Sequence, residues 1–268
     1  MKEVSLGRTR TTVPKIGLGT ARYIGGRNVL ALGISAGLRL IDTAEAYNAI
    51  GDTPGYTETL VGNEIADFHE KVFIATKISP RNLSGDAVSV HARASAARLR
   101  VSTIDLYQIH SPNSEIPILE TMAAMERLVD EGIVHHIGVS NFPSDRLKEA
   151  MDAMRSYPIV SNQIKYNLFE RSAATDVLET CHDAGVTVIA HTPLAMSKFE
   201  RFPGNSVLKD LSLSLRRPPA QIMLNWLVSQ ENVIAIPKTD RPERVTELAT
   251  AADWTLEPNA REILDGCG

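Results

Sequence analysis

The stretch Gly37-Leu38-Arg39-Leu40-Ile41-Asp42-Thr43-Ala44-Glu45-Ala46-Tyr47 starts as a short, mostly apolar run and ends in an acid and a phenol. A mostly apolar run of this length reads as a buried parallel strand. Asp42 follows that strand, and Tyr47 lies in the loop beyond it. In α/β proteins the carboxyl ends of strands are where ligands and chemistry gather. Two further runs end alike: Lys77 follows the apolar residues 72–76, and His110 follows residues 104–109. An acid, a phenol, an ammonium and an imidazole on one face are hard to explain as packing.

Strand-like runs are predicted at 15–18, 38–41, 72–76, 104–109, 134–139, 159–162, 186–190 and 233–236. Helical spacing of apolar residues predicts helices at 29–36, 57–68, 86–99, 118–130, 145–155 and 174–184, with Gly132 and Gly185 as stop signals and Ser144-Asp145 as a start. Eight strands spaced by roughly 30 residues and alternating with helices match a (β/α)8 TIM barrel, which typically needs ~250 residues. With 268 residues and 43% apolar content, the chain has the length for one such core. No Pro/Gly/Ser-rich linker divides it, so residues 1–268 are read as a single barrel domain. Val4-Ser5-Leu6-Gly7 and Thr11-Thr12-Val13 predict a small N-terminal hairpin capping the barrel floor.

The formal charge of −4 gives no general attraction to nucleic acid or acidic membranes. Cys181 and Cys267 are far apart in sequence, with no disulfide framework or metal-type pair. No apolar leader or spanning stretch is present. A cytoplasmic, monomeric protein acting on a small molecule is the expectation, with no nucleic-acid or membrane partner.

Four other motifs are read as structural. Gly33-Ile34-Ser35-Ala36-Gly37 spells the nucleophile-elbow pattern, but a helix leads in and a strand follows, the reverse of what that mechanism needs. Gly17-Leu18-Gly19-Thr20-Ala21-Arg22 begins like the dinucleotide fingerprint, yet Arg22 occupies the third-glycine position. That argues against a Rossmann dehydrogenase. His135 and His136 point to opposite faces of a strand and share no further ligand at metal spacing. Arg216-Arg217-Pro218-Pro219 reads as a helix start, with anion binding as its alternative.

The four strand-end residues suit carbonyl chemistry. A nearby ammonium lowers the pKa of a phenol, so Lys77 is expected to make Tyr47 a better acid. A buried lysine needs a partner such as Asp42, and a neutral His110 can donate a hydrogen bond to a carbonyl oxygen. No side chain supplies a hydride, so a nicotinamide cofactor is implied.

At these residues the sequence resembles the aldo-keto reductase superfamily over essentially the whole chain, in its prokaryotic-type form with a short C-terminal tail. The resemblance is carried by Gly17–Thr20, residues 37–47 and 104–110, Ile137-Gly138-Val139-Ser140-Asn141-Phe142 and Ile236-Pro237-Lys238-Thr239. It implies a barrel binding NADP(H) at its C-terminal mouth and reducing aldehydes or ketones to alcohols. Tyr47 would be the general acid, Asp42 and Lys77 would set its pKa, and His110 would orient the carbonyl. Ser140, Asn141 and Gln163 would hold the nicotinamide carboxamide, with Gly19, Thr20 and Asp42 near its ribose. Lys238, Thr239 and Arg244 match a pocket for the adenosine 2′-phosphate. His191 stands where the family commonly has a stacking tyrosine, beside Thr192 and Leu194, and its charge is expected to vary near neutral pH. Leu248 replaces an asparagine often found beside the adenine, leaving Glu247 as the polar candidate. Residues 48–56, with Gly51, Pro54 and Gly55, are expected to form a mobile loop over the mouth. The short tail implies an open pocket and a broad range of carbonyl substrates. The alternative is a cofactor-binding regulatory or adaptor protein on the same barrel, against which the complete set of four residues argues.

Overall fold

A strand's side chains alternate between its two faces, and in this chain alternation separates a sheath of helix-packing residues from a barrel interior. The computed structural model describes residues 2–48, 53–171 and 174–267. Residues 49–52 of the expected mouth loop lie outside the described residues.

The hairpin pairs β1 (Glu3–Ser5) with β2 (Thr12–Pro14), Val4 facing Val13. Eight parallel strands follow: β3 (Leu18–Gly19), β4 (Leu40–Asp42), β5 (Phe73–Ile78), β6 (Ile104–Ile109), β7 (Val134–Ser140), β8 (Ile159–Lys165), β9 (Thr187–His191) and β10 (Val233–Ala235). Each pairs with its sequence neighbour. The ring closes where Ile16 bridges Ala235, Gly17 N donates to Ala235 O at 2.9 Å and Gly19 N donates to Pro237 O at 3.0 Å. The helices are α1 (Val29–Ser35), α2 (Tyr56–Glu64), α3 (Gly85–Leu99), α4 (Ile118–Asp130), α5 (Ser144–Asp152), α6 (Thr175–Ala184), α7 (Asn205–Leu215), α8 (Pro219–Val228), α9 (Val245–Ala249) and α10 (Pro258–Asp265). This is the expected (β/α)8 barrel with its small N-terminal hairpin.

Ile41, Ile74, Tyr107, Ile109, Val139, Val188 and Ala235 join the large core between sheet and helices. Leu40, Ala75, Leu106, Val160, Ile189 and Ile234 form a second apolar cluster inside the barrel, closed below by Leu6 and Val13 of the hairpin. Gly7 N donates to Thr187 Oγ1 at 2.7 Å, tying the hairpin to the floor. One pleat above this apolar layer, the same strands turn inward Asp42, Lys77 and His191, and Gln163 joins them after a register shift in which Ile137 pairs with Ile159 but Gly138 with Ser161. The period of two therefore carries an apolar floor into a polar mouth.

The other motifs fall into place structurally. Ser35 ends α1 and donates to Ala31 O at 2.8 Å, a helix-internal bond. His136 Nε2 bonds Thr11 Oγ1 at 2.9 Å, and His135 lies 3.5 Å from Asp105. Among the described residues no cluster could hold a metal, and no helix is long and apolar enough to cross a membrane. Arg216 caps the end of α7, Pro218 and Pro219 start α8, and Arg217 stacks over Trp254 at 4.9 Å.

Candidate active site

Lys77 is fully buried, and its ammonium places three protons on three acceptors. Nζ donates to Asp42 Oδ2 at 2.7 Å, Thr43 O at 2.8 Å and Tyr47 Oη at 3.3 Å. The other carboxylate oxygen, Asp42 Oδ1, accepts from Gln163 Nε2 at 2.7 Å. Burial alone would strip the charge from Lys77, but the Asp42 carboxylate and the Tyr47 oxygen outweigh it and hold its pKa above the ordinary lysine value. The lysine is thus a fixed cation.

Lys77 also sits 4.9 Å from the centre of the Tyr47 ring, and the His110 ring meets that ring edge-on at 5.4 Å. Because the Tyr47 oxygen accepts from Lys77, its own proton points elsewhere. The expected lowering of the Tyr47 pKa is corrected here: burial raises it, and the opposing pull of Lys77 does not overcome burial. Tyr47 is a neutral phenol that retains its proton.

His110 is pushed down to about 4, by burial first and by the Lys77 ammonium second. His191 is pushed down to about 4 by the same two causes in the same order. The expectation that His191 changes charge near neutral pH is therefore corrected to a neutral imidazole throughout that range. Its Nε2 lies 3.1 Å from Asn141 Oδ1 and its Nδ1 lies 3.0 Å from Thr192 Oγ1. Asn141 Nδ2 donates to His110 O at 2.9 Å, which assigns the amide. An amide oxygen only accepts, so Nε2 of His191 carries the proton and Nδ1 accepts from the Thr192 hydroxyl.

These groups open into a cavity of about 520 Å³ at the carboxyl ends of the strands. Of the residues singled out in the sequence, Gly19, Asp42, Tyr47, His110, Ser140, Asn141, Gln163, His191, Thr192, Leu194 and Lys238 line it. Lys77 lies beneath its wall. Thr20 departs from expectation: it is fully buried, and its hydroxyl donates to Asp42 O at 2.9 Å, so the strand presents Gly19 and Ala21 instead. Thr239, Arg244 and Glu247 lie beyond Lys238, outside the cavity wall. Glu247 is on α9, where its carbonyl accepts from Gln221, while Leu248 is 3% exposed and packs in the core. Leu248 therefore presents nothing to a ligand.

The sequence reading missed part of the wall: Ala21, Arg22, Pro193, Met196, Ser197, Ile236 and Pro237. Ile236 was reachable by strand alternation, two residues before Lys238. Met196 was not, because Ala195, Met196 and Ser197 all adopt left-handed backbone (φ 48°, 55° and 58°), which none of these residue types announces. A second omission is Glu45, buried two residues before Tyr47. Its carboxylate accepts from Ser79 N at 2.6 Å and Asn82 Nδ2 at 2.9 Å, and meets His91 Nδ1 at 2.6 Å. It ties the Tyr47 loop to the chain leaving β5.

The Aldo/keto reductase family model matches residues 15–268. Methylglyoxal reductase YeaE of Escherichia coli (strain K12) is 32% identical over 238 residues, spanning 88% of this chain and 82% of that protein. Among solved structures, a thermostable aldo-keto reductase in complex with the inhibitor epalrestat is 37% identical with a TM-score of 0.90, covering 100% of both chains. An aldo-keto reductase from Klebsiella pneumoniae in complex with NADPH is 31% identical with a TM-score of 0.88, covering 99% of this chain and 94% of that one.

Proposed function

The chain belongs to the aldo/keto reductase family, and on that premise we infer that it is an NADP-dependent oxidoreductase that reduces aldehydes or ketones to alcohols, with Tyr47 as general acid. The observation that carries this reading is the Lys77 ammonium, whose bonds reach both Asp42 and Tyr47.

The donor set suits a nicotinamide dinucleotide. Ser140, Asn141 and Gln163 offer hydroxyl and amide groups for a carboxamide, and Lys238 with Arg22 offers positive charge for phosphates. His191 would face the ring, Thr192 and Leu194 would line its path, and Thr239, Arg244 and Glu247 would meet the adenosine end. When bound, the nicotinamide supplies the hydride.

The chain's own residues do the rest. Neutral His110 donates to the substrate carbonyl oxygen and orients it. As negative charge grows on that oxygen, the Tyr47 hydroxyl delivers its proton there. Lys77, already donating to the Tyr47 oxygen, stabilises the phenolate left behind, and Asp42 keeps Lys77 charged. In the reverse direction the phenolate recovers the proton from the alcohol.

The reading is tested by following NADPH absorbance over a panel of aldehydes and ketones. Loss of absorbance with the reactive aldehydes is expected. Tight NADPH binding without turnover anywhere in the panel would contradict it and favour a cofactor-binding adaptor.

A further inference from the structure

Glu45 is 4% exposed and lies outside the cavity wall, yet both of its carboxylate oxygens are engaged. Oε1 accepts from Ser79 N at 2.6 Å and from Asn82 Nδ2 at 2.9 Å. Oε2 lies 2.6 Å from Nδ1 of His91, a half-buried residue of α3. A carboxylate withdrawn this far from water is costly unless its lone pairs are filled, and here partners from the next βα connection fill them. The backbone around it is held as well. Glu45 N donates to Lys77 O at 3.1 Å, Glu45 O accepts from Gly55 N at 2.7 Å, and Tyr47 O accepts from Thr57 N at 3.3 Å. Tyr47 therefore sits just beyond a fixed point, between the end of β5 and the start of α2.

The turn that Glu45 grips has a second attachment. Pro80 O accepts from Asn113 Nδ2 at 2.8 Å, and His110 N donates to Ile78 O at 3.0 Å. Residues 78–82 thus join the loop carrying the phenol to the loop carrying the imidazole. Two groups that must meet one oxygen atom tolerate little displacement: an error of about 1 Å can cost about 10²-fold in rate.

We propose that Glu45 is a positioning residue: by reaching Ser79 and Asn82, its carboxylate sets Tyr47 against His110 and Lys77, so that the phenol meets the carbonyl oxygen that the imidazole orients. This rests on the reading of Tyr47 as general acid. The length of the side chain matters here, more than its charge. Glu45→Gln keeps the reach: its amide oxygen can accept from Ser79 N and Asn82 Nδ2, and its NH2 can donate to a neutral His91 protonated on Nε2. Glu45→Asp keeps the charge and shortens the arm by one methylene.

The test is steady-state reduction of a reactive aldehyde by the whole protein, in H2O and D2O and with NADPH or its nicotinamide-deuterated form. Glu45→Asp is expected to lose about 10–100-fold in kcat with the NADPH Kd unchanged. Its solvent isotope effect should rise relative to the hydride isotope effect, because proton delivery lags when the acid is misplaced. Glu45→Gln should stay close to wild type in all three. Asn82→Ala, which removes one of the two bonds to Oε1, should move kcat and the isotope ratio in the same direction as Glu45→Asp, by less. A merely structural role would lower the fraction of active protein and leave the isotope ratio where it was. The assignment is overturned by a Glu45→Asp loss without that rise, by wild-type rates in Glu45→Asp or Asn82→Ala, or by a Glu45→Gln loss that equals the Glu45→Asp loss. Wild type without turnover, or Tyr47→Phe at the wild-type rate, would instead overturn the general-acid reading, and the inference with it.

Discussion

Burying an ammonium costs several kcal/mol unless its protons find acceptors, and Lys77 satisfies all three with Asp42, Thr43 and Tyr47. That arrangement fixes the charge states around it. The phenol of Tyr47 stays protonated past its ordinary pKa of 10.0, since burial raises it. A reduction rate governed by this proton therefore shows no alkaline decline below about pH 10; a fall centred near neutrality would count against the phenol as the donor. The imidazoles have the opposite sign. His110 and His191 drop from 6.5 to about 4 on folding. Each is neutral in the folded state while the unfolded chain takes up a proton, so the stability they confer is full above pH 6.5 and is lost as pH falls towards 4. Urea midpoints measured across that window should decline with acid, and less steeply in His191→Asn. An identical acid limb in the variant would remove His191 from the account.

Elements differed in how plainly they announced themselves. The strands 104–109 and 233–236 and the helix Ile118–Asp130 were legible because their surroundings are conventional: apolar runs between turn signals, and a single apolar stripe along the helix. Helix α8 was not. Every residue from Gln221 to Val228 is buried, so no polar face marks a helical period. The first barrel strand was displaced for another reason: Gly17 and Gly19 approach neighbouring backbone so closely that a Cβ would lie 2.6 Å from Leu40 O or 2.8 Å from Ile236 O. The predicted helix 57–68 splits where α2 stops at Glu64 and residues 66–71 tighten into a 3-10 turn. In the site, the strand-end residues were readable from alternation, whereas the left-handed turn at Ala195–Ser197 and the buried support at Glu45 carry no local signal. The helix ends give a direct test. Arg216 caps α7 at φ 50°, a conformation that costs a side chain more than glycine. Arg216→Gly is expected to stabilise the protein by about 0.5–1 kcal/mol in urea unfolding, once the added freedom of the unfolded chain is offset. A loss of stability would show that the Arg216 side chain contributes more than its backbone costs.

The whole barrel separates stability from chemistry along its axis. At the floor, Leu6 is 1% exposed and packs against Leu40, Ala75, Leu106 and Val160; at the mouth, the same strands present Asp42, Lys77 and Gln163. Leu6→Ala should therefore cost about 2–4 kcal/mol of stability, as large-to-small core changes do, while leaving the NADPH Kd unchanged. A matching loss of cofactor affinity would mean that the floor and the mouth are mechanically coupled. The central claim concerns the mouth alone: a phenol held protonated by burial, beside a lysine that can stabilise its conjugate base, protonates the reduced carbonyl. The most direct measurement is the rate of NADPH consumption with a reactive aldehyde in wild type and in Tyr47→Phe, with the NADPH Kd taken on both. The account predicts a rate loss of about 10²–10⁴-fold, the range for a general acid, with the Kd little changed. Equal rates in the two proteins would contradict it.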